Sequence, residues 1–281
     1  DGHYENDIKI RASLKIDTSN TVNDAPIYYY ANQTNLDEFD FIGAGQIILI
    51  NCNSSTISNV DISSVRDAFI MYHCNYNSIT SVSLTYNNFR GLYLYESHDC
   101  SISESTFNNN EKFGLHLRDS TNNDIFDNYI NSNNIGVGIR DLSYNNIFYL
   151  NFIQSNTNYG VMINSSASEN LFYNNTFNNP GINAYDDGTN TYWDNGSIGN
   201  YWHDYTGRDL NDDGIGDTPY NIAGLGGGSD NYPIWFDGDE PPETNGGDDL
   251  PGIPIEVFIY SIFFGSLVGV ATVVVIIVRK R

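Results

Sequence analysis

The chain has 281 residues, of which 40% are hydrophobic and 14% aromatic, so it contains enough apolar material to form a core. Its formal net charge of −23 at pH 7 argues against a nucleic acid as partner. The same charge is typical of a protein that binds calcium, works in a saline exterior or simply stays soluble. Three cysteines without a CxxC pair, together with two methionines, predict no soft-metal site.

Residues 1–40 are predicted to form an N-terminal first coil without an amphipathic capping helix. Residue 1 is Asp and no signal peptide precedes it, so we expect the chain to be processed or a fragment. A β-helix that is open at this end exposes unpaired strand edges. We therefore expect either that upstream residues were removed or that this end pairs with another protein, including end-to-end association with a second copy.

Residues 41–198 repeat one pattern about every 23 residues and restart at Gly91, Gly114, Gly136 and Gly160. Apolar residues at i and i+2 indicate a strand, and stacked coils bury the apolar sides as one column. The prediction is an all-β fold, a right-handed single-stranded parallel β-helix, with the hand taken from the rule for parallel crossovers. The later inward positions of the coils are predicted at Ile57, Ile79, Ile102, Ile125, Ile147 and Leu171, and at Ile62, Leu84, Phe107, Ile130 and Phe152.

Asn, Ser, Asp and Gly separate these strands and tolerate the left-handed conformations of tight corners. Asn recurs at equivalent corners, as at Asn122, Asn123 and Asn145, which predicts side-chain amides that hydrogen-bond from coil to coil. Cys52 and Cys74 occupy the same position in adjacent coils, where we expect free core thiols rather than a disulfide.

The outward residues of the first strand change along the coils, while the inward ones do not. Aromatic rings beside arginines and carboxylates are suited to binding a sugar chain. Asp119 and Asp141 are expected roughly 5 Å apart, near the separation of a retaining glycosidase. Each Asp also has an Arg beside it, so ladder salt bridges with a structural role, which we favour, glycan binding and catalysis all stay open. The candidate glycan-binding residues are Tyr93, Tyr95, His116, Arg118, Asp119, Arg140 and Asp141.

Residues 199–234 are predicted to form a cap that contains an acidic loop. Gly214 permits the tight turn of a calcium loop, and carboxylates this close together repel one another without a cation. Tyr220 stands where an EF-hand has its bidentate Glu, so Asp204 or Asp230 is expected to supply a further ligand. We predict Ca²⁺ as a staple of the cap, with a solvated acidic turn as the alternative. The predicted ligands are Asp209, Asn211, Asp213, Ile215 and Asp217.

The run TYWDNGSIGNYWHDYTGRDLNDDGIGDTPYNI at residues 191–222, closed by DNYPI at 230–234, resembles the terminal signature of NosD-like β-helix proteins. That resemblance extends over nearly all of residues 1–234. It implies a parallel β-helix of the wider group of carbohydrate-binding proteins and sugar hydrolases. NosD proteins of denitrifiers assist maturation of a copper centre, which the resemblance implies as a further role. The histidines of this chain include no pair at ligand spacing, so they support that role poorly.

Residues 235–254 are acidic and rich in Pro and Gly, which predicts an extended stalk. Residues 255–278 are predicted to be a transmembrane helix, because Val257 to Val278 contain no charge and are long enough to span a bilayer. The basic end at 279–281 places the C-terminus in the cytoplasm and the rest outside. These ends resemble the surface-sorting ends of archaeal exoproteins, although PGIP favours membrane retention over cleavage.

Exposure outside the cell also suits the N-x-S/T sequons, although several would arise by chance in an Asn-rich chain. They lie at Asn32, Asn53, Asn164, Asn174 and Asn195.

The sequence thus favours a non-enzymatic, calcium-stabilised, membrane-anchored β-helix at the cell surface, serving envelope architecture or glycan contact. Its expected partners are the membrane, surface glycans or envelope proteins, and further copies at the N-terminal edge. The alternative is a carbohydrate-active lyase, epimerase or hydrolase that uses the outward residues. A copper-accessory protein is the third and least supported hypothesis.

Overall fold

The structure is a computed structural model of the chain and describes residues 2–235. In chain order its elements are α1 (Gly2–Ala12), β1 (Thr21–Val22), β2 (Ala25–Ala31), a 3-10 helix (Glu38–Phe41), β3 (Gln46–Ile50), β4 (Thr56–Ser58), β5 (Asp61–Ser63), β6 (Asp67–Tyr72), β7 (Ser78–Thr80), β8 (Ser83–Thr85), β9 (Arg90–Tyr95), β10 (Ser101–Ser103), β11 (Phe113–Arg118), β12 (Asp124–Phe126), β13 (Tyr129–Asn131), β14 (Ile135–Arg140), β15 (Ile147–Tyr149), β16 (Phe152–Gln154), β17 (Tyr159–Ile163), β18 (Leu171–Tyr173), β19 (Thr176–Asn178), β20 (Ile182–Asp186), β21 (Tyr201–Trp202), β22 (Tyr220–Asn221) and β23 (Ser229–Asp230).

The strands stack into parallel sheets that run along the axis of a solenoid. The longest, here called the long sheet, has the order β1-β2-β3-β6-β9-β11-β14-β17-β20. A second sheet has the order β18-β15-β12-β10-β7-β4, and a third contains β13-β16-β19-β21. Neighbouring strands of the long sheet are parallel from β2 onward. The predicted all-β parallel β-helix is confirmed, while its right hand stays a prediction.

Inward side chains of successive coils form a single apolar column. Leu92 lies opposite Leu115, which lies opposite Val137, and all three are completely buried. Because each coil contributes only a few apolar side chains, the column gains its stability from stacking, at about 25 cal/mol per Å² of apolar surface removed from water.

The predicted inward positions are wrong in the later coils. Phe148 and Phe172, not Ile147 and Leu171, continue the column of the second sheet, and both are fully buried. The cause is one additional residue at a corner. Only Asp119 separates Arg118 from Ser120, whereas two residues separate their counterparts Arg140 and Ser143. One of these two, Leu142, is 67% exposed.

The third sheet shows the same shift. Ile153 is completely buried and pairs with Ile130, whereas the predicted Phe152 lies half-buried beside it. A one-residue slip reverses which side chains of a strand face the core.

Buried asparagines connect the coils, as predicted. The side-chain amide nitrogen of each donates to the amide oxygen of the next at 2.9–3.1 Å. Asn122 and Asn145 adopt left-handed corners beside ladder residues Asn123 and Asn146. One ladder runs through Asn128, Asn151, Asn175 and Asn200, a second through Asn87, Asn110, Asn133, Asn156, Asn179 and Asn183, and a third through Asn123, Asn146 and Asn170.

Two of the ladders end in carboxylates. Asp230 accepts the backbone N–H of Asn200 at 2.6 Å and the indole N–H of Trp202 at 2.8 Å. Asp204 accepts the side-chain amide of Asn183 at 2.8 Å. Stacked aromatic rings complete this end, where Trp202 lies between Phe177 and Tyr220.

The N-terminal region differs from the prediction because it contains the helix α1. This helix has no apolar stripe of helical period, which is the signal from which sequence analysis recognises a helix. It packs against β3. It also contacts the neighbouring strands, because the Tyr29 hydroxyl of β2 donates to the Arg11 carbonyl at 2.6 Å and the Arg11 guanidinium lies 4.1 Å from the centre of the Tyr72 ring of β6. The short strand β1 pairs antiparallel with the start of β2, at Thr21 with Pro26 and at Val22 with Ala25.

Cys52, Cys74 and Cys100 are free and buried, which confirms the expected core thiols. No helix within residues 2–235 is long and apolar enough to cross a membrane. The predicted transmembrane helix at 255–278 and the basic end at 279–281 lie outside the described residues, as does the predicted stalk beyond residue 235.

Candidate functional site

The outward side chains of the long sheet form the candidate site. Tyr93 lies opposite His116, which lies opposite Gly138, and Tyr95 lies opposite Arg118, which lies opposite Arg140. Parallel pairing in register stacks these side chains in rows on the outward side of the sheet, and Asp119 and Asp141 follow at the next corner. Tyr93 and His116 are buried in these rows, at 5% and 4% exposure. We call this surface the arginine–tyrosine face, defined by Arg90, Tyr93, Tyr95, Phe113, His116, Arg118, Asp119, Arg140 and Asp141.

His116 lies within an aromatic stack beneath this face. Its ring centroid is 4.3 Å from that of Phe113 and 5.1 Å from that of Tyr93. It is 4% exposed, and neither ring nitrogen has a hydrogen-bond partner. Burial, together with the positive charges of Arg90, Arg140 and Arg118, lowers the pKa of His116 to about 2. The imidazole is therefore neutral at physiological pH.

Gly138 is what allows this stack to form. A Cβ at Gly138 would lie 2.6 Å from Cε1 of Phe113, a distance that side chains do not tolerate. Phe113 therefore occupies the outward space that Gly138 leaves open. The Arg140 guanidinium lies 5.3 Å from the centre of the Phe113 ring.

Arg90 and Asp67 form a buried ion pair at the start of the strands, which sequence analysis missed. The Arg90 guanidinium lies 3.9 Å from the centre of the Tyr93 ring and 3.6 Å from an Asp67 oxygen. Asp67 also pairs with Arg66 at 2.8 Å. Burial raises the pKa of Asp67 and lowers that of Arg90. The sequence did contain a signal for this pair, because Arg90 directly precedes Gly91, one of the repeated glycines.

Arg118 contacts both candidate catalytic carboxylates. It bonds to Asp141 of the next coil, and its Nε lies 3.6 Å from an oxygen of Asp119. Burial alone would lower the pKa of Arg118, but the hydrogen bond and the charge of Asp141 raise it overall. The Asp119 carboxylate also accepts the Leu142 N–H at 3.3 Å. These contacts fit ladder salt bridges better than a glycosidase pair, in which one carboxyl must give up a proton.

The corner that follows the face holds a further buried histidine. His73, which is 1% exposed, contacts Glu96 at 3.0 Å and Asp7 of α1 at 3.4 Å. His73, Glu96, Asp119 and Asp141 occupy equivalent corners, with φ values between 46° and 55°. Helix α1 therefore borders the arginine–tyrosine face at its N-terminal side.

The acidic loop of the cap is held by its own backbone. Asp209 accepts the Gly214 N–H at 2.7 Å, Asp213 accepts the Ile215 N–H at 2.9 Å, and Asp217 accepts the Leu210 N–H at 2.8 Å. Gly214 has a φ of 83°, which the predicted tight turn requires. The Asn211 amide donates to Asp213 at 2.9 Å, so this amide is turned toward a carboxylate.

The two carboxylates proposed to complete the calcium loop are engaged by other groups. Asp230 is completely buried at the end of an asparagine ladder, and Asp204 ends another while accepting the Tyr220 hydroxyl at 3.1 Å. Within residues 2–235, no group of three or more His, Cys, Asp or Glu side chains is arranged to hold a metal ion. The loop therefore lacks the additional carboxylate ligand that the sequence led us to expect, and Ca²⁺ binding stays a prediction.

The predicted glycosylation sites are compatible with modification. None of Asn32, Asn53, Asn164, Asn174 and Asn195 is buried. Asn32 and Asn195 are exposed, and the other three are half-buried.

Comparison with known proteins places this solenoid in a family. A family model described as periplasmic copper-binding protein (NosD) matches residues 8–207. The chain belongs to the NosD family. A search of curated proteins gives no match.

Solved structures with a similar fold include two carbohydrate epimerases and a viral protein. The periplasmic alginate epimerase AlgG is 16% identical, with a TM-score of 0.47 over 60% of this chain and 42% of that chain. The A-module of the Azotobacter vinelandii mannuronan C-5 epimerase AlgE6 is 14% identical, with a TM-score of 0.42 over 61% and 56%. ORF18 of Geobacillus virus E2 is 13% identical, with a TM-score of 0.45 over 69% and 44%. This NosD-family chain spans only about half the length of these proteins, and the likeness shows the fold alone.

The family description raises the question of copper, which the described donors do not fit. Burial raises the pKa of all three thiols, to about 11 for Cys100 and well above the usual range for Cys74. Soft metals bind thiolates, which these buried groups do not provide. Within residues 2–235, the buried His116 belongs to no group of three or more His, Cys, Asp or Glu side chains that could hold a metal ion.

Proposed function

We propose that this NosD-family protein is a non-enzymatic β-helix that binds a carbohydrate chain along the arginine–tyrosine face. The observation that carries the proposal is the rows of tyrosine and arginine on one flat parallel sheet. Tyr95 and Arg140 are half-buried, and the Arg118 side chain is 47% exposed, so each offers part of its surface to a ligand. Aromatic rings stack on sugar rings, and guanidinium groups donate paired hydrogen bonds.

Binding without turnover is the better supported form of this function. Asp119 and Asp141 are both engaged by Arg118, and a histidine whose pKa is about 2 is a weak base at neutral pH. A lyase, epimerase or hydrolase on this face would need one of these groups to exchange a proton. Turnover of acidic or neutral polysaccharides that is lost in Asp119→Ala would establish the enzymatic alternative instead.

The proposed setting is the cell surface, with the solenoid outside the membrane and the C-terminus as anchor. The family description supports a location beyond the cytoplasm. The uncharged run from Val257 to Val278, followed by Arg279, supports the anchor. Calcium at the acidic loop belongs to the same proposal, because a cation would relieve the repulsion among Asp209, Asp213 and Asp217.

Titration calorimetry of the full chain against a set of oligosaccharides tests the binding function. We expect Tyr95→Ala to weaken binding by about tenfold, which corresponds to about 1.4 kcal/mol and is the size of one aromatic contact. Tyr192→Ala is the matched control, because Tyr192 is 56% exposed and lies outside the face. Equal losses in the two variants, or no binding by the wild type, would refute the proposal.

A further inference from the structure

Basic residues are concentrated on the arginine–tyrosine face and its margin. Every Lys and Arg between residues 16 and 207 lies there, in a chain whose net charge is −23. These residues are Arg66, Arg90, Lys112, Arg118 and Arg140. All five also lie against aromatic rings, as Arg90 does against Tyr93 and Lys112 against Phe113. The rest of the solenoid carries an excess of acidic residues, which repel anions. An anion can therefore approach at this face.

Among the four arginines of this group, Arg140 is the one without a carboxylate partner within residues 2–235. Arg66 and Arg90 pair with Asp67, and Arg118 pairs with Asp119 and Asp141. Arg140 has no ion pair among the described residues and contacts only the ring of Phe113 through its guanidinium. A guanidinium group presents paired donors that match a planar carboxylate.

Buried polar atoms without a hydrogen-bond partner occur at the same face, although the Asp67 oxygen among them keeps its ion pair with Arg90 at 3.6 Å. They include both ring nitrogens of His116, Nε of Arg90 and one oxygen of Asp67. The His116 side chain belongs to a residue that is 96% buried, and Asn134, which directly precedes β14, adds an oxygen of the same kind. Native proteins rarely leave such atoms unpaired, and a polar ligand or an ordered water is the usual partner.

The surrounding charge selects the sign of that ligand. His116 faces Arg90, Arg118 and Arg140, with Tyr93 and Phe113 packed on its two sides. Because Arg90 and Arg118 are paired with carboxylates, Arg140 is the guanidinium group whose charge is left to attract an anion and repel a cation at this place. A neutral imidazole still donates one hydrogen bond and accepts another, so it serves a carboxylate or a hydroxyl group.

We propose that the saccharide bound on this face carries carboxylate groups, and that Arg140 pairs with one of them. The inference rests on the proposed glycan-binding function and adds the substrate class, which is a chain that contains uronic acid units. Tyr95 and the neighbouring rings contact the sugar, while Arg140 selects the acid.

Matched oligosaccharides test this selectivity with the full chain in titration calorimetry. The probes are oligogalacturonate and oligoglucuronate and the carboxyl-reduced forms of both, which keep the sugar rings and lose the charge. We expect an acidic form to bind at least about tenfold more tightly than its reduced form at low salt. The preference should decline as the NaCl concentration rises. Equal or tighter binding of the reduced forms would overturn the acid selectivity and leave glycan binding in place, whereas no binding of any form would refute both.

Variants distinguish a specific contact from general electrostatics. Arg140→Gln should reduce the affinity for the acidic form by about tenfold and leave that for the reduced form unchanged, because one charge-assisted bond is lost. Arg140→Lys should retain part of the affinity, since the charge remains without the paired donors. Arg208→Gln makes the same change of charge in the cap. An equal loss in Arg208→Gln, or none in Arg140→Gln with an unchanged melting temperature, would overturn the role of Arg140.

Discussion

Asp230 allows a quantitative test of how the solenoid ends. It is completely buried, and it accepts N–H groups from Asn200, Trp202 and Tyr232. Burial raises the pKa of this carboxyl group to about 6 from its ordinary 3.8, although the hydrogen bonds act in the opposite direction. In the folded protein the group therefore takes up a proton at a higher pH than it does in the unfolded chain.

The direction of the pH effect follows from that difference. The stability contributed by a group with a raised pKa is fully present below about 3.8 and is lost as the pH rises through about 6. Linkage between these two values gives about 2 kcal/mol more stability at pH 4.5 than at pH 7.5, with a limit near 3 kcal/mol at lower pH. Asp230→Asn cannot titrate, so it should lack this contribution.

Urea unfolding of the full chain at both pH values measures the effect. The gain in unfolding free energy between pH 7.5 and pH 4.5 should be about 2 kcal/mol larger in the wild type than in Asp230→Asn. The control is Asp61→Asn, because Asp61 is exposed on β5 and should give the same gain as the wild type. A wild-type gain equal to or smaller than that of Asp230→Asn would show that the N–H donors outweigh burial and would refute the reasoning.

Three further predictions concern the face, the acidic loop and the C-terminus. Gly138→Ala should lower the free energy of unfolding by about 1–3 kcal/mol, because the new Cβ forces Phe113 away, and a denaturant midpoint equal to that of wild type would contradict the packing. Calcium should raise the melting temperature of the full chain, a rise that Asp213→Asn should reduce, whereas a temperature independent of calcium would remove the predicted staple. The full chain should remain in membranes after carbonate extraction, and deletion of residues 255–281 should release it, so extraction of both forms alike would exclude the anchor.

The repeat was sufficient to predict the solenoid, because alternating apolar residues and Asn-rich corners both follow from coil geometry. It failed at Ile147 and Phe148, where adjacent residues are both apolar. Only the exposed insertion at Leu142 determines which of the two faces inward. A pattern of hydrophobicity carries no information about register where neighbouring residues are equally apolar.

The residues of the candidate site were predicted from the sequence, but the burial of its side chains was not. The positions of Tyr95, Arg118 and Arg140 follow from register alone, whereas the burial of His116 depends on Phe113 filling the space over Gly138. The helix α1 escaped prediction because polar contacts, such as Asp7 with His73, hold it in place rather than an apolar stripe. Likewise, the sequence suggested Asp230 as a metal ligand. It gives no sign of the hydrogen bond to Asn200, because the two residues are thirty positions apart.

The asparagine ladders give the solenoid a direction. Each amide nitrogen within a ladder donates toward the C-terminal neighbour, and two ladders find an acceptor after their last amide in Asp204 and Asp230, groups that only accept when ionised. A whole coil duplicated within the interior would preserve every bond of this chain of donors, while a coil added beyond the cap would not. This solenoid can therefore lengthen by internal duplication, one row of outward side chains at a time, without redesigning either end.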